Sequence, residues 1–194
     1  MTERPLIFVV DDESEALAGM LDALTRRFGG DYRVMPHLSP GAALAAVRKS
    51  AKDGDEIALV IADQRMPEMT GREFLGRVRS IVPTAKRALV VAWGDREASP
   101  TILQACALGE LDNYLYKPWA PAEIHLYPLI GEFLAEWTRS HRPGMELPST
   151  RNCRSQIATL MSHLRGGGQF TPPALPAAQS GGSLGIDRQS RSLS

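Results

Sequence analysis

Leu59-Val60-Ile61-Ala62-Asp63-Gln64-Arg65-Met66-Pro67 runs four apolar residues straight into an acid, then into a loop that proline keeps out of regular structure. A run this apolar, with no polar alternation, predicts a parallel strand buried on both faces and ending at Asp63. In open α/β sheets, ligands bind in the crevice beyond the carboxyl ends of the strands. Asp63 is therefore a candidate site residue. On this segment alone it reads equally well as an aspartate capping a turn, and the ends of two other strands decide the matter.

Leu6-Ile7-Phe8-Val9-Val10 is a second continuous apolar run, and it ends in Asp11-Asp12-Glu13. Ala16, Leu17, Met20, Leu21, Leu24 and Phe28 then recur at helical spacing, predicting a helix over 14–28 that Gly29-Gly30 terminates. Tyr32–Leu38 reads as a short strand. Ser39-Pro40 supplies an N-cap and a first-turn proline for a helix over 41–51. Gly71 leads a helix with Phe74, Leu75 and Val78 on one face, stopping near Pro83. Arg87–Trp93 is the fourth strand and 98–109 a helix with Pro100 in its first turn. Asn113–Tyr116 is a short fifth strand that runs into Lys117-Pro118-Trp119. A last helix spans Pro121 to His141, with Pro128 predicting a kink or a one-turn offset.

Strand and helix thus alternate five times, which calls for a doubly wound, flavodoxin-like parallel sheet with helices on both faces and strand order 2-1-3-4-5. In that order strand 1 lies beside strand 3, about 4.8 Å away, so the Asp12 and Asp63 carboxylates can meet at the sheet edge. Strand 5 lies two strands from strand 3, roughly 10 Å, most of which a lysine side chain reaches. Carboxylates crowded to about 4 Å repel by about 4 kcal/mol at an effective dielectric near 20. They must protonate, separate or hold a cation, and an open all-oxygen site favours Mg²⁺. An aspartate beside Mg²⁺ and a lysine is a ready acceptor for a phosphoryl group.

Composition narrows the function classes. Of 194 residues, 43% are hydrophobic, enough for a proper core, and the formal net charge of zero argues against a dedicated nucleic-acid partner. The zero divides unevenly: five arginines against Glu146 and Asp187 give residues 143–194 a net +3, leaving −3 on residues 1–142. No apolar run approaches the roughly 18–20 residues that span a bilayer, and the N-terminus lacks a signal-peptide core, so a cytoplasmic location is expected. Cys106 and Cys153 have no metal-ligand spacing and read as a packing thiol and a free thiol. Residues 143–194 are dense in Gly, Pro, Ser, Gln and Ala and read as a low-complexity, disordered tail with one candidate helix at 155–165.

Val9-Val10-Asp11-Asp12-Glu13, then Asp63-Gln64-Arg65-Met66-Pro67-Glu68-Met69-Thr70-Gly71, then Tyr114-Leu115-Tyr116-Lys117-Pro118-Trp119, together resemble the receiver domain of bacterial two-component response regulators over residues 4–142. The resemblance implies that Asp63 is the phosphoacceptor and that Asp11, Asp12, Asp63 and the Arg65 backbone carbonyl arrange Mg²⁺. It also implies that Lys117 contacts the phosphoryl oxygens. The expected donor is a histidine kinase or phosphotransfer protein, and the output an unknown downstream protein. The chain would be no enzyme beyond the slow self-dephosphorylation of the family.

One departure stands out. Receivers usually carry Ser or Thr at the end of strand 4, whereas here Val91 or Ala92 takes that place and Trp93 follows; neither aliphatic side chain can donate the switching hydrogen bond. Val91, Ala92, Trp93 and Tyr114 are therefore the candidate switch residues. The closing helix carries more aromatic residues than one sheet face requires, which points to a partner or homodimer face over 98–141. The stretch from Lys117-Pro118-Trp119 to Trp137 is also similar to receiver modules fused to thioredoxin-reductase-like flavoproteins. No GxGxxG or CxxC of such an enzyme is present, so no such enzyme domain is expected; a truncated regulatory module of a flavoprotein fusion is an alternative reading, its tail a fusion remnant or a frameshifted end. Two further readings are a receiver-fold adaptor independent of phosphorylation and a Mg²⁺-dependent phosphohydrolase. The latter lacks a second acid two residues after Asp63, where Arg65 stands.

Overall fold

A computed structural model describes residues 4–94 and 98–141. The chain alternates β1 (Leu6–Val10), α1 (Ser14–Phe28), β2 (Arg33–His37), α2 (Pro40–Asp53), β3 (Ile57–Asp63), α3 (Gly71–Ile81), β4 (Lys86–Ala92), α4 (Ala98–Ala107) and β5 (Asn113–Lys117). Two helices follow, α5 (Ala122–His125) and α6 (Tyr127–His141). The five strands form one sheet in the order β2-β1-β3-β4-β5, every neighbouring pair parallel. The expected tail, with its helix at 155–165, lies outside the described residues.

The two unbroken apolar runs are the centre of the sheet, and every residue of β1 and β3 is buried. Side chains alternate between faces along a strand. Ile7, Val9, Leu59, Ile61, Val90 and Leu115 pack on one side with α1 and α6. The intervening Phe8, Val10, Val60, Ala62, Leu89 and Val91 are equally buried, with Leu44, Val47, Phe74, Leu75 and Val78 available from α2 and α3. Burying about 25 cal/mol per Å² on both faces holds the strand ends in register, and with them any side chain placed there.

Local signals set the helix ends. Ser39 accepts a hydrogen bond from the Ala42 N–H at 3.1 Å, and Gly54 closes α2 in the left-handed conformation at φ 84°. Thr70 and Glu73 form a reciprocal capping box that starts α3. The predicted single closing helix is broken at Leu126, whose N–H still reaches the Ala122 carbonyl. Pro128 accounts for the break: with no N–H it cannot donate a helix bond, so it sits in the first turn of α6, where none is needed.

The expected surplus of apolar surface on this helix is corrected by the packing. Leu129, Ile130, Phe133, Leu134 and Trp137 all lie in the core, with Phe133 and Trp137 only 4% and 3% exposed. Of the described residues, no helix is long and apolar enough to cross a membrane.

Candidate functional site

Three strand ends on one edge of the sheet converge. Asp11 follows β1, Asp63 closes β3 and Lys117 closes β5. The Lys117 ammonium lies 2.8 Å from Asp11 Oδ2 and 2.7 Å from Asp63 Oδ1, spanning the sheet edge as the topology requires. Both carboxylates are buried, at 6% and 7% exposure. Glu13 stands further out, 3.8 Å from the same ammonium and largely exposed.

Each buried carboxylate divides its oxygens the same way. Asp11 Oδ1 accepts the N–H of Glu13 at 3.0 Å, and Asp63 Oδ2 accepts the N–H of Arg65 at 2.7 Å. Both are bonds from the backbone two residues on to an aspartate, a turn that aspartate favours. One oxygen of each acid is thereby fixed to its own loop, and the other faces Lys117. This pairing orients the two carboxylates without any helix or strand hydrogen bond.

The charge does not balance. Burial pushes the Asp63 carboxyl above the usual aspartate value of 3.8, outweighing the hydrogen bond and charge of Lys117 and the Arg65 N–H, and the Asp11 charge adds to the rise. For Lys117, burial acts to lower the ammonium, but hydrogen bonds to Asp11 and Asp63 and their charges leave it raised. The two directions agree: one ammonium serves two carboxylates, so the lysine gains two partners while each acid gains half of one. The pair of acids is left one positive charge short.

That deficit is the observation against which a divalent cation can be tested. Among the described residues, no three carboxylate, imidazole or thiolate groups are drawn into a ready cage. Mg²⁺ asks for less, typically one or two carboxylates with waters and a phosphate oxygen making up the rest. Asp11 and Asp63 supply those two, and Asp12 is exposed beside them. The donor set fits.

The β3–α3 loop is built to leave Asp63 in place. The Gln64 N–H donates to the Val90 carbonyl at 2.8 Å, and the Gly71 N–H returns to the Gln64 carbonyl at 3.1 Å. A Cβ on Gly71 would sit 2.1 Å from the Asp63 carbonyl oxygen, so α3 starts in contact with the back of the site only because that residue is glycine. Helical patterning predicts only the start of a helix at this glycine; its approach to the Asp63 carbonyl depends on how the intervening loop folds back and has no local signal.

Of the candidate switch residues, Val91 is 1% exposed, and its isopropyl group is core. Ala92 pairs with Lys117 across β4 and β5 and is exposed. The Trp93 N–H donates to the Lys117 carbonyl at 3.1 Å. Its half-exposed indole meets the Tyr116 ring edge-on at 5.0 Å, and Tyr116 meets Tyr114 at 5.3 Å. Tyr114 is buried at 8% exposure. An aromatic ladder therefore runs from the exposed end of β4 to the middle of β5.

Residues 7–127 match the family model described as a response regulator receiver domain. Over 122 residues the sequence is 31% identical to the hydrogenase transcriptional regulatory protein HoxA of Cupriavidus necator, a match that covers 63% of this chain and 23% of that protein. The chain thus spans about a quarter of the length of that curated relative. Among solved structures, the signal receiver domain of an HD domain-containing protein from Pseudomonas fluorescens Pf-5 aligns with a TM-score of 0.58 at 27% identity, covering 75% of this chain and 96% of the other. A CheY-like receiver domain protein from Methanospirillum hungatei JF-1 aligns at 0.58 and 24% identity, over 71% and 99%, and supports the fold alone.

Proposed function

Since the chain belongs to the response regulator receiver domain family, we propose that it accepts a phosphoryl group on Asp63 from a histidine kinase or phosphotransfer protein. The observation that carries this reading is the single ammonium of Lys117 shared between Asp11 and Asp63 at 2.8 and 2.7 Å. It marks an acid whose charge is under-compensated and whose surroundings suit an incoming cation and phosphate.

The chemistry asks little beyond position and charge. A carboxylate oxygen of Asp63 forms the new O–P bond as the bond from phosphorus to the donor's imidazole nitrogen breaks. The Arg65 N–H holds Asp63 Oδ2, which fixes the rotation of the carboxylate and aims Oδ1 at the open edge. Lys117 stands where it can leave Asp63 Oδ1 and neutralise the phosphoryl oxygens instead. Asp11, Asp63, the Arg65 carbonyl and the adjacent Asp12 are the groups that would hold Mg²⁺. When bound, it supplies the missing positive charge and polarises the phosphoryl oxygens. Glu13 adds a negative rim that favours cation entry.

Incubation of the full chain with Mg²⁺ and acetyl phosphate, followed by intact mass, tests the reading. A stable adduct on the wild type that Asp63→Asn abolishes supports it. Rapid multiple turnover would instead make the protein a phosphohydrolase. Absence of any adduct would leave the adaptor reading, which Ala92 favours because the strand that normally relays phosphorylation ends here in a methyl group.

A further inference from the structure

Lys117 has to be placed as well as charged. Its side chain crosses two strands, so a small change in where its main chain leaves β5 becomes a large change at the ammonium. On one side that main chain is fixed by β4, through the Trp93 N–H on the Lys117 carbonyl. On the other it passes directly into Pro118 and Trp119, beyond the last residue of the sheet.

Trp119 does not hang free there. Its indole is partly buried against the core that α1 shares with the sheet. The outer edge of its benzene ring lies over Gly19, with Cζ2 and Cη2 both 3.8 Å from where a Cβ on that glycine would stand. Gly19 is in the middle of α1, where glycine costs about 1 kcal/mol relative to alanine. Alanine would meet the ring at ordinary contact distance, whereas a branched side chain would crowd it. The glycine therefore marks a flat landing place. The helix that carries it starts from the Asp11-Asp12-Glu13 turn, which holds the acids Lys117 must reach.

We propose that Trp119 is the positioning residue for Lys117: by seating on α1 at Gly19, it ties the segment after β5 to the helix that starts at the acidic loop, and so sets the Lys117 ammonium between Asp11 and Asp63. In this role Trp119 need not touch the reacting groups. It acts by registering one strand end against another across the sheet, which β-sheet pairing alone does not do, because β5 and β1 are not neighbours. This rests on the reading of Asp63 and Lys117 given above.

The test uses the full chain with Trp119→Leu, Trp119→Phe, Gly19→Ala and Gly19→Ile, each with Lys117 intact and with Lys117→Met. Labelling of Asp63 by acetyl phosphate and Mg²⁺ is expected to slow by about tenfold to a hundredfold in Trp119→Leu and Gly19→Ile, since a misplacement of about 1 Å can cost roughly a hundredfold. Trp119→Phe and Gly19→Ala are expected to stay within about twofold of wild type, a flat ring or a single methyl keeping the seat. In the Lys117→Met background, Trp119→Leu is expected to add nothing, because a residue acting only through Lys117 is silent without it. Equal labelling by Trp119→Leu and wild type overturns the proposal. So does a slowing that persists unchanged in the Lys117→Met background, which would mean general loosening of the fold.

A second measurement does not depend on phosphorylation. The proton–nitrogen NMR signal of the Lys117 ammonium, protected by its two carboxylate partners, is expected in the wild type and lost to exchange in Trp119→Leu and Gly19→Ile. If the wild type is not labelled at all, the phosphoacceptor reading fails, and this signal alone decides the role of Trp119. Its retention in both variants would overturn the proposal.

Discussion

Ala92 stands directly opposite Lys117 in the parallel register of β4 and β5, with a methyl group at the solvent-exposed end of β4. The same strand pair carries Val91 opposite Tyr116, and the Val91 side chain is buried in the core. A hydroxyl at position 92 would therefore enter the site beside the lysine, whereas one at 91 would be buried away from it. Ala92→Thr is expected to leave stability within about 0.5 kcal/mol, as exposed substitutions usually do. With acetyl phosphate and Mg²⁺ it is also expected to enlarge the change in tryptophan fluorescence, since the added donor can draw the end of β4 toward a phosphoryl oxygen and carry Trp93 with it. Trp93→Phe in the same background identifies the reporting indole. No gain in signal from Ala92→Thr would show that β4 does not respond to phosphorylation of its neighbour.

Burial of Asp63, only partly offset by the ammonium it shares with Asp11, makes stability depend on pH with a definite sign. The folded-state Asp63 pKa lies above its ordinary value of 3.8, so the folded chain binds this proton more readily than the unfolded chain. The stability Asp63 contributes is thus greatest below that value and is lost as pH rises through the folded pKa. Asp63→Asn, which mimics the protonated acid, is expected to be more stable than wild type above this window and equal to it below. Urea titrations at a series of pH values check it. Carbon-13 titration of the Asp63 carboxyl is expected to show a fall in Asp11→Asn, where the lysine has one partner left, and a rise in Lys117→Met, where the ammonium is gone. An unchanged midpoint in both variants would remove the charge deficit on which the cation argument depends.

Most of the architecture was legible because it rests on long apolar runs. Leu6–Val10 and Leu59–Ala62 are buried end to end, and five strand–helix alternations admit few topologies. Strand order then placed Asp63 and Lys117 on one edge. Less visible was which acid of the Asp11-Asp12 pair turns inward. Both lie in an irregular turn after β1, where the two-residue alternation of a strand no longer applies. The structure brings Asp11 to Lys117 and leaves Asp12 exposed, through the bond from the Glu13 N–H that rotates Asp11 into the site.

The ends of elements were harder, for physical reasons particular to each. The Tyr32–Leu38 strand shortens to Arg33–His37 because the Tyr32 N–H is taken by the Phe28 carbonyl at the end of α1, and Leu38 leads into the Ser39 cap of α2. The interruption at Leu126 follows from Pro128, but a kink and an offset have the same sequence signature. The aromatic residues of α6 illustrate a different limit. A helix pattern shows which side is apolar, not how much of the sheet remains for it to cover.

Those aromatic residues support a prediction that separates core from interface. Phe133 is 4% exposed and belongs to the cluster that includes Ile7, Leu59 and Leu24. Phe133→Ala is expected to cost about 3–5 kcal/mol in urea denaturation, the usual range for emptying a phenylalanine site. A residue serving only a partner would cost the isolated chain almost nothing. Measurement at two protein concentrations tells the cases apart, since an interface contribution grows with concentration and a core contribution does not.

Two glycines in α3 are expected to respond to alanine in opposite directions. At Gly71 a methyl carbon would fall 2.1 Å from the Asp63 carbonyl oxygen and 2.8 Å from Leu89 Cδ1, both too close for real contacts. Relief requires α3 to withdraw from the sheet, stretching the hydrogen bond from the Gly71 N–H to the Gln64 carbonyl. Overpacking of this kind costs about 1–3 kcal/mol. Because the strain falls on the backbone of Asp63 itself, slower phosphorylation should accompany it. Gly76, roughly one and a half turns further along, is exposed, and a methyl added there would have nothing within 4 Å. At that position alanine only reduces the freedom of the unfolded chain and improves helix propensity, for a gain of about 0.5–1 kcal/mol with phosphorylation unchanged. Denaturation midpoints and Asp63 labelling rates of the two variants, measured side by side, check both signs. Equal and harmless effects would mean that the start of α3 does not press on the acid after all.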